Sequence, residues 1–254
     1  MGLVYLSHKW IFTSIKYKVM NLKSIFLLLI LSFIIISADA QVKSYVTTGG
    51  EIIFSFADID NNDINSDNII RFSPVFNIQV FGNFDFGKNF GLIAGGSIRN
   101  VGFINGNTDP DNSGIKQKYR TYNFGIPIGF KIGNVNKFFL FGGYEIEFPF
   151  HYKEKTFING VKQDAKISTW FTNRVPTFYN SVFAGIQFPY GLNLKFKYYF
   201  TNFFNENYSE TVNGELLMPY DGYKANVFYF SLSFALFQNN HVYYKEYNEP
   251  SRTY

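Results

Sequence analysis

A chain of 254 residues without a cysteine can form neither disulfides nor thiolate metal sites. Its 23 Lys and Arg against 19 Asp and Glu give +4, but residues 1–40 hold Lys9, Lys16, Lys18 and Lys23 with only Asp39, and the remaining 19 against 18 make no electrostatic case for nucleic acid. No basic stripe stands out along the sequence. Aromatics reach 21% while charged residues stop at 17%, so much apolar surface must face something other than a small core.

From Met20 the chain reads as a secretory signal: a basic start at Lys23, an apolar run from Ile25 to Ile36, then Ala38-Asp39-Ala40 as an A-x-A cleavage site. Residues 1–40 are therefore expected to be removed, with Met20 favoured over Met1 as the start and Gln41 as the first mature residue. A retained membrane anchor is the competing reading, because the apolar run lies near the lower edge of spanning length.

Beyond Gln41 no apolar stretch is long enough for a spanning helix, and alternation at period two dominates. It is clearest where Leu192, Leu194, Phe196, Tyr198 and Phe200 oppose Asn193, Lys195, Lys197, Tyr199 and Thr201, and where Phe228, Phe230, Leu232, Phe234 and Leu236 oppose Tyr229, Ser231, Ser233 and Ala235. The pattern predicts eight strands near 45–57, 69–86, 90–104, 119–132, 137–151, 176–188, 191–203 and 224–237. Short connections (Gly87 to Asn89, Gly133 to Asn136, Pro189-Tyr190) alternate with long ones (58–68, 105–118, 152–175, 204–223), which places all short turns at one end. Asn159-Gly160 and Asn213-Gly214 are hairpin dipeptides inside two long connections, so strands five to eight are expected to continue as ribbons past the bilayer, with an irregular bend around Trp170 to Pro176.

The fold class read from this pattern is all-β: an eight-stranded antiparallel up-and-down transmembrane barrel over residues 41–237, followed by a polar tail, 238–254. Glu51, Arg71, Asp85, Arg99, Lys131, Glu145, Glu147, Lys195 and Lys197 all fall opposite the large apolar residues of their own strands and are expected to form a lumen charge network. A lipid-facing Lys or Arg at mid-bilayer would cost about 2–4 kcal/mol, whereas a near-neutral inward set can pair. Gly91, Gly95, Gly125, Gly129, Gly143 and Gly185 on the same face leave room for it. The alternative is a soluble sandwich or lipocalin-like ligand binder with a solvated polar face. Pro74, Pro127 and Pro149 inside predicted strands each remove a ladder donor and call for bulges or strand ends.

The A-D-A-Q region, the strand Tyr122-Asn123-Phe124-Gly125-Ile126-Pro127-Ile128-Gly129-Phe130-Lys131 and the aromatic last strand Val227 to Phe237 resemble the PorT-like small outer-membrane β-barrel proteins of the OmpA/OmpX architecture. The resemblance spans about Gln41 to Phe237 and implies the cell outer membrane, its lipid and its assembly machinery as surroundings, and a part in secretion or envelope maintenance. Such barrels commonly end on an aromatic strand residue that the machinery reads; here Phe237 is followed by the polar tail.

Chemistry is sparse. Some barrels of this size modify lipid A with His, Ser and an acid, and His151 with Glu147 on the same predicted face is the only pair to nominate, without a nucleophile. Asp58 to Asp63 and Asn107 to Asn112 are oxygen-rich, but the first lacks the Gly and Glu of a calcium loop, so no metal site and no cofactor are expected. An eight-stranded barrel has interior enough only for its own side chains, which argues against an open pore, although a small channel stays as an alternative. Trp170, Phe171, Tyr208 and Tyr220 are candidates for contact with a protein or ligand at the loops, or for interfacial anchoring. The expectation is a non-enzymatic barrel.

Overall fold

The computed structural model describes residues 42–61, 67–106 and 114–239. Its strands are β1 (Val42–Asn61), β2 (Asp67–Ile69), β3 (Arg71–Ser73), β4 (Ile78–Phe86), β5 (Phe90–Gly106), β6 (Ile115–Asn134), β7 (Phe138–Ile158), β8 (Val161–Trp170), β9 (Tyr179–Gln187), β10 (Leu192–Tyr199), β11 (Glu210–Val212), β12 (Glu215–Leu217) and β13 (Tyr223–Asn239). Eight of them, β1, β4, β5, β6, β7, β9, β10 and β13, pair antiparallel in a ring that closes where β13 meets β1 from Val46↔Asn239 to Asn61↔Tyr223. Closure leaves no bare edge, which is what a sheet in hydrocarbon requires. The expected signal segment, the chain after Asn239 and most of the two oxygen-rich loops lie outside the described residues.

Along each wall strand the faces differ as the alternation predicts. On β6 the outward residues Phe124, Ile126, Ile128, Phe130 and Ile132 are each 45–62% exposed, while Thr121 and Asn123 between the strands' inward positions are fully buried. In water a contiguous belt of such side chains would drive association; in hydrocarbon it is the solvated state. The apolar column covers nine residues, the length a tilted strand needs to cross a bilayer. Since β6 and β7 run to 20 and 21 residues, about half of each stands clear of the apolar zone.

The three prolines sit where the ladder is interrupted. Pro74 occupies the break between β3 and β4, which Asn77 seals by donating to the Ser73 carbonyl (2.8 Å) and accepting from the Asn100 amide (2.8 Å). Pro127 lies where pairing of β5 with β6 passes from Ala94↔Ile128 to Ser97↔Gly125 without a pair between. Pro149 adjoins a bulge: β6 and β7 pair as Tyr122↔His151 and then Asn123↔Pro149, leaving Phe150 extra.

Of the two long connections expected to form ribbons, the first does so and the second does not. Asn159 (φ 49°) and Gly160 (φ 81°) turn β7 into β8, as the dipeptide predicts, and the left-handed conformation at both is the one a two-residue hairpin turn requires. Residues 171–178 are irregular, so β9 starts at Tyr179 rather than near 176. Strands seven and eight, by contrast, do not extend as a ribbon. β10 stops at Tyr199, and β11 with β12 forms a separate small hairpin around Asn213-Gly214, because the chain after Phe200 turns inward and buries Phe203 and Phe204.

Candidate functional site

The inward face carries the chemistry. Glu51 on β1, Arg99 on β5, Glu145 and Glu147 on β7, and Lys195 and Lys197 on β10 converge at mid-wall, all buried. Arg99 pairs with Glu51 (3.0 Å), Glu147 (3.3 Å) and Glu145. Lys197 bridges Glu145 (2.6 Å) and Glu147 (2.5 Å), and Lys195 reaches Glu51 (2.7 Å). Three carboxylates face three cations, and neutral donors fill remaining lone pairs: Ser97 to Glu145 (2.5 Å), Asn123 (2.7 Å) and Tyr199 (2.8 Å) to Glu147, and Ser231 to Glu51. A buried set of this kind is tolerable only when each charge is both paired and hydrogen-bonded. Lys131 and Asp85 form a separate ion pair nearer the short turns, with Lys131 also donating to Tyr45 (3.0 Å) and Asn83 (3.1 Å).

Arg71 is not joined to either group. It is buried, but its guanidinium donates to the Asn100 carbonyl (3.1 Å) and to the Asn100 side chain, filling the gap where β3 does not pair with β5. Among the described residues it forms no ion pair.

Towards the long-loop end the interior turns aromatic. Tyr179 donates to the Phe203 carbonyl (2.9 Å) and stacks on its ring, and Phe203 meets Phe103 edge to face. Phe204 lies flat against Tyr220, with centroids 4.4 Å apart and planes 9° apart, and contacts Tyr119 and Tyr223. Arg174 then ties the two loops: it pairs with Glu210, donates to Tyr220 (3.0 Å) and lies over the Tyr208 ring (4.7 Å). The four loop aromatics therefore separate. Tyr220 is 4% exposed and belongs to the interior rather than to a contact surface, because the inward turn after Phe200 draws it onto Phe204. Tyr208 is half-buried beside it, while Trp170 (62%) and Phe171 (79%) are exposed on the outer wall.

His151 and Glu147 do not share a face, contrary to the sequence expectation. The bulge at Phe150 inserts one residue, which puts Glu147 inside and sets His151 opposite the outward Tyr122, its ring 4.6 Å from Trp170 and its Nε2 3.1 Å from the Ser168 hydroxyl. Among the described residues no acid is seated against this His151–Ser168 pair, and no three potential metal ligands cluster.

Register also builds a feature that the linear sequence hides. Above the Tyr122, His151 and Trp170 level, Arg120 stands directly opposite Lys153, and Lys118 opposite Lys155, which stands opposite Lys166. Lys162 follows on the same face opposite Phe157. At the other end of the barrel a cavity of about 330 Å³ opens between the short turns, lined by Tyr45, Gln79, Asn83, Phe139, Lys131 and Lys195.

A closed eight-stranded wall, apolar outside and charged inside, is the architecture of an outer-membrane barrel. In agreement with it, residues 39–208 match the family described as outer membrane protein beta-barrel domain, and the chain belongs to that family. It is a protein of the cell outer membrane. Solved structures similar to it include Ail, the attachment invasion locus protein of Yersinia pestis, in complex with the heparin analogue sucrose octasulfate (13% identity, TM-score 0.36, 76% of this chain and 98% of that one). Another is Neisserial surface protein A, NspA (7% identity, TM-score 0.33, 77% and 99%). No protein of curated function matches the sequence.

Proposed function

We propose that the protein is a non-enzymatic outer-membrane barrel, mature from Gln41, whose lumen is plugged and whose long loops face outward to contact a protein or ligand. Insertion by the outer-membrane assembly machinery and a part in secretion or envelope maintenance, as in PorT-like proteins, go with this reading. One observation carries it: the inward face is filled without a break from the six-membered ion-pair cluster through Tyr199 and Tyr179 to the Phe203, Phe204 and Tyr220 rings. An aqueous path would have to displace paired charges and stacked rings together, and the narrow diameter of eight strands leaves no bypass.

Planar-bilayer recording tests the plug. The purified protein is expected to give a silent trace; stepwise conductance from the wild-type chain would overturn the proposal. Incubation with lipid A should likewise leave the lipid unaltered, and a His151-dependent change in its acyl chains would favour a lipid-modifying enzyme instead.

A further inference from the structure

The outer face of β6, β7 and β8 beyond the apolar belt carries seven basic residues, Lys116 opposite Phe157 among them, and the arrangement of the others costs stability. Arg120↔Lys153, Lys118↔Lys155 and Lys155↔Lys166 are directly opposed cross-strand pairs, and like charges so placed repel at about 5 Å between side-chain roots. Among the described residues none of Lys118, Arg120, Lys153, Lys155, Lys162 and Lys166 forms an ion pair. Asp164, the one acidic residue of β8, lies in the irregular stretch between Lys162 and Lys166 and pairs with none of them either.

Height decides what anion fits. Each outward step on a tilted strand advances about 5 Å along the barrel axis. Arg120 and Lys153 are one step beyond Tyr122 and His151, and Lys118, Lys155 and Lys166 one further. The polar headgroup layer is itself roughly 5–8 Å deep on each side. Arg120 and Lys153 therefore stand in the headgroup layer against the wall, above the aromatic ring formed by Tyr122, Phe150, His151 and Trp170, and Lys118, Lys155 and Lys166 stand at its outer edge, about 10 Å above that ring, below the tip of the ribbon where a soluble polymer would first arrive.

We propose that this face binds the phosphate groups of phosphorylated glycolipid in the surrounding outer leaflet, which neutralise the opposed cations and fix the β7–β8 ribbon against the membrane. The proposal rests on the outward placement of the long loops given above.

The full-length protein, purified in detergent, is mixed with lipid A bearing both phosphates or with phosphate-free lipid A, and retained lipid is counted by native mass spectrometry. The wild type is expected to retain the phosphorylated form only. The quadruple variant Lys118→Gln, Arg120→Gln, Lys153→Gln, Lys155→Gln should lose retention roughly a hundredfold, since each basic group at an anionic surface is worth about a fivefold factor and neighbours are not fully additive. Because these side chains lie on the outer face of the wall, the variant should keep the wild-type heat-modifiable band, which checks its fold. Equal retention of phosphate-free lipid, or undiminished retention by the folded variant, would overturn the proposal. So would binding of heparin that depends on these four residues while phosphorylated lipid A is ignored. Orientation is read separately in the cysteine-free chain by Val161→Cys and a membrane-impermeant maleimide on intact cells. Labelling with equal lipid retention sinks the lipid site alone; absence of labelling sinks the outward orientation and the site with it.

Discussion

Arg99 is the residue on which the interior balance turns, because it alone touches all three carboxylates of the mid-wall cluster. Arg99→Met would leave Glu51, Glu145 and Glu147 facing only Lys195 and Lys197, and one uncompensated buried carboxylate costs about 3–5 kcal/mol. The expected outcome is a fall in the urea midpoint of the heat-modifiable form by that equivalent; an unchanged midpoint would show that the cluster is hydrated and weak. Gly125 supports the same cluster by absence, since a methyl group there would meet the Glu145 carboxylate and the Ser97 hydroxyl. Nearer the loops, burial raises the Glu154 carboxyl above the ordinary glutamate range, with the Tyr152 hydroxyl and Arg174 opposing. A folded value above the unfolded one means that this stabilisation is complete on the acid side and is lost as pH rises through the folded value. Glu154→Gln should therefore flatten the pH dependence of proteolysis in the 200–222 loop, and an unaltered profile would assign it to another group. The facing of the inward charges was legible because strict alternation survives in those strands. Arg71 and Tyr220 were not, because their placement depends on a missing ladder contact and on a loop that folds inward, neither of which has a periodic signature.

The strands themselves were readable in number and order, and the two Asn-Gly turns fall where the dipeptides stand. Bulges were less so. A single extra residue at Phe150 exchanges the faces of everything beyond it, which separates His151 from Glu147 and lines Lys153 and Lys155 up with Arg120 and Lys118. The basic face was invisible for the same reason: its members are dispersed over almost fifty residues and converge only through register, while the near-zero charge balance of residues 41–254 conceals them. Arg174 ties the loop between β10 and β13 to the segment before β9 through Glu210, Tyr220 and Tyr208. Arg174→Ala is expected to speed amide exchange over 203–212 about tenfold, from the loss of a charge-assisted bond and a cation–ring contact. Exchange at the wild-type rate would mean that the Phe204 stack alone holds the loop.

Over the whole molecule the outward belt of Phe, Ile and Leu is the dominant physical fact, since it fixes the solvent in which the wall is stable. In detergent phase separation the protein should be recovered folded from the detergent-rich phase; folded protein in the aqueous phase would contradict a lipid-facing belt.

The ring closes by joining β1 to β13, the most distant parts of the described chain. Until β13 has been delivered, β1 lacks half of its backbone partners, and any intermediate in transit presents two open rims able to pair with neighbouring copies. Where folding stops before β13 arrives, the expected product is aggregates joined rim to rim rather than a shortened barrel.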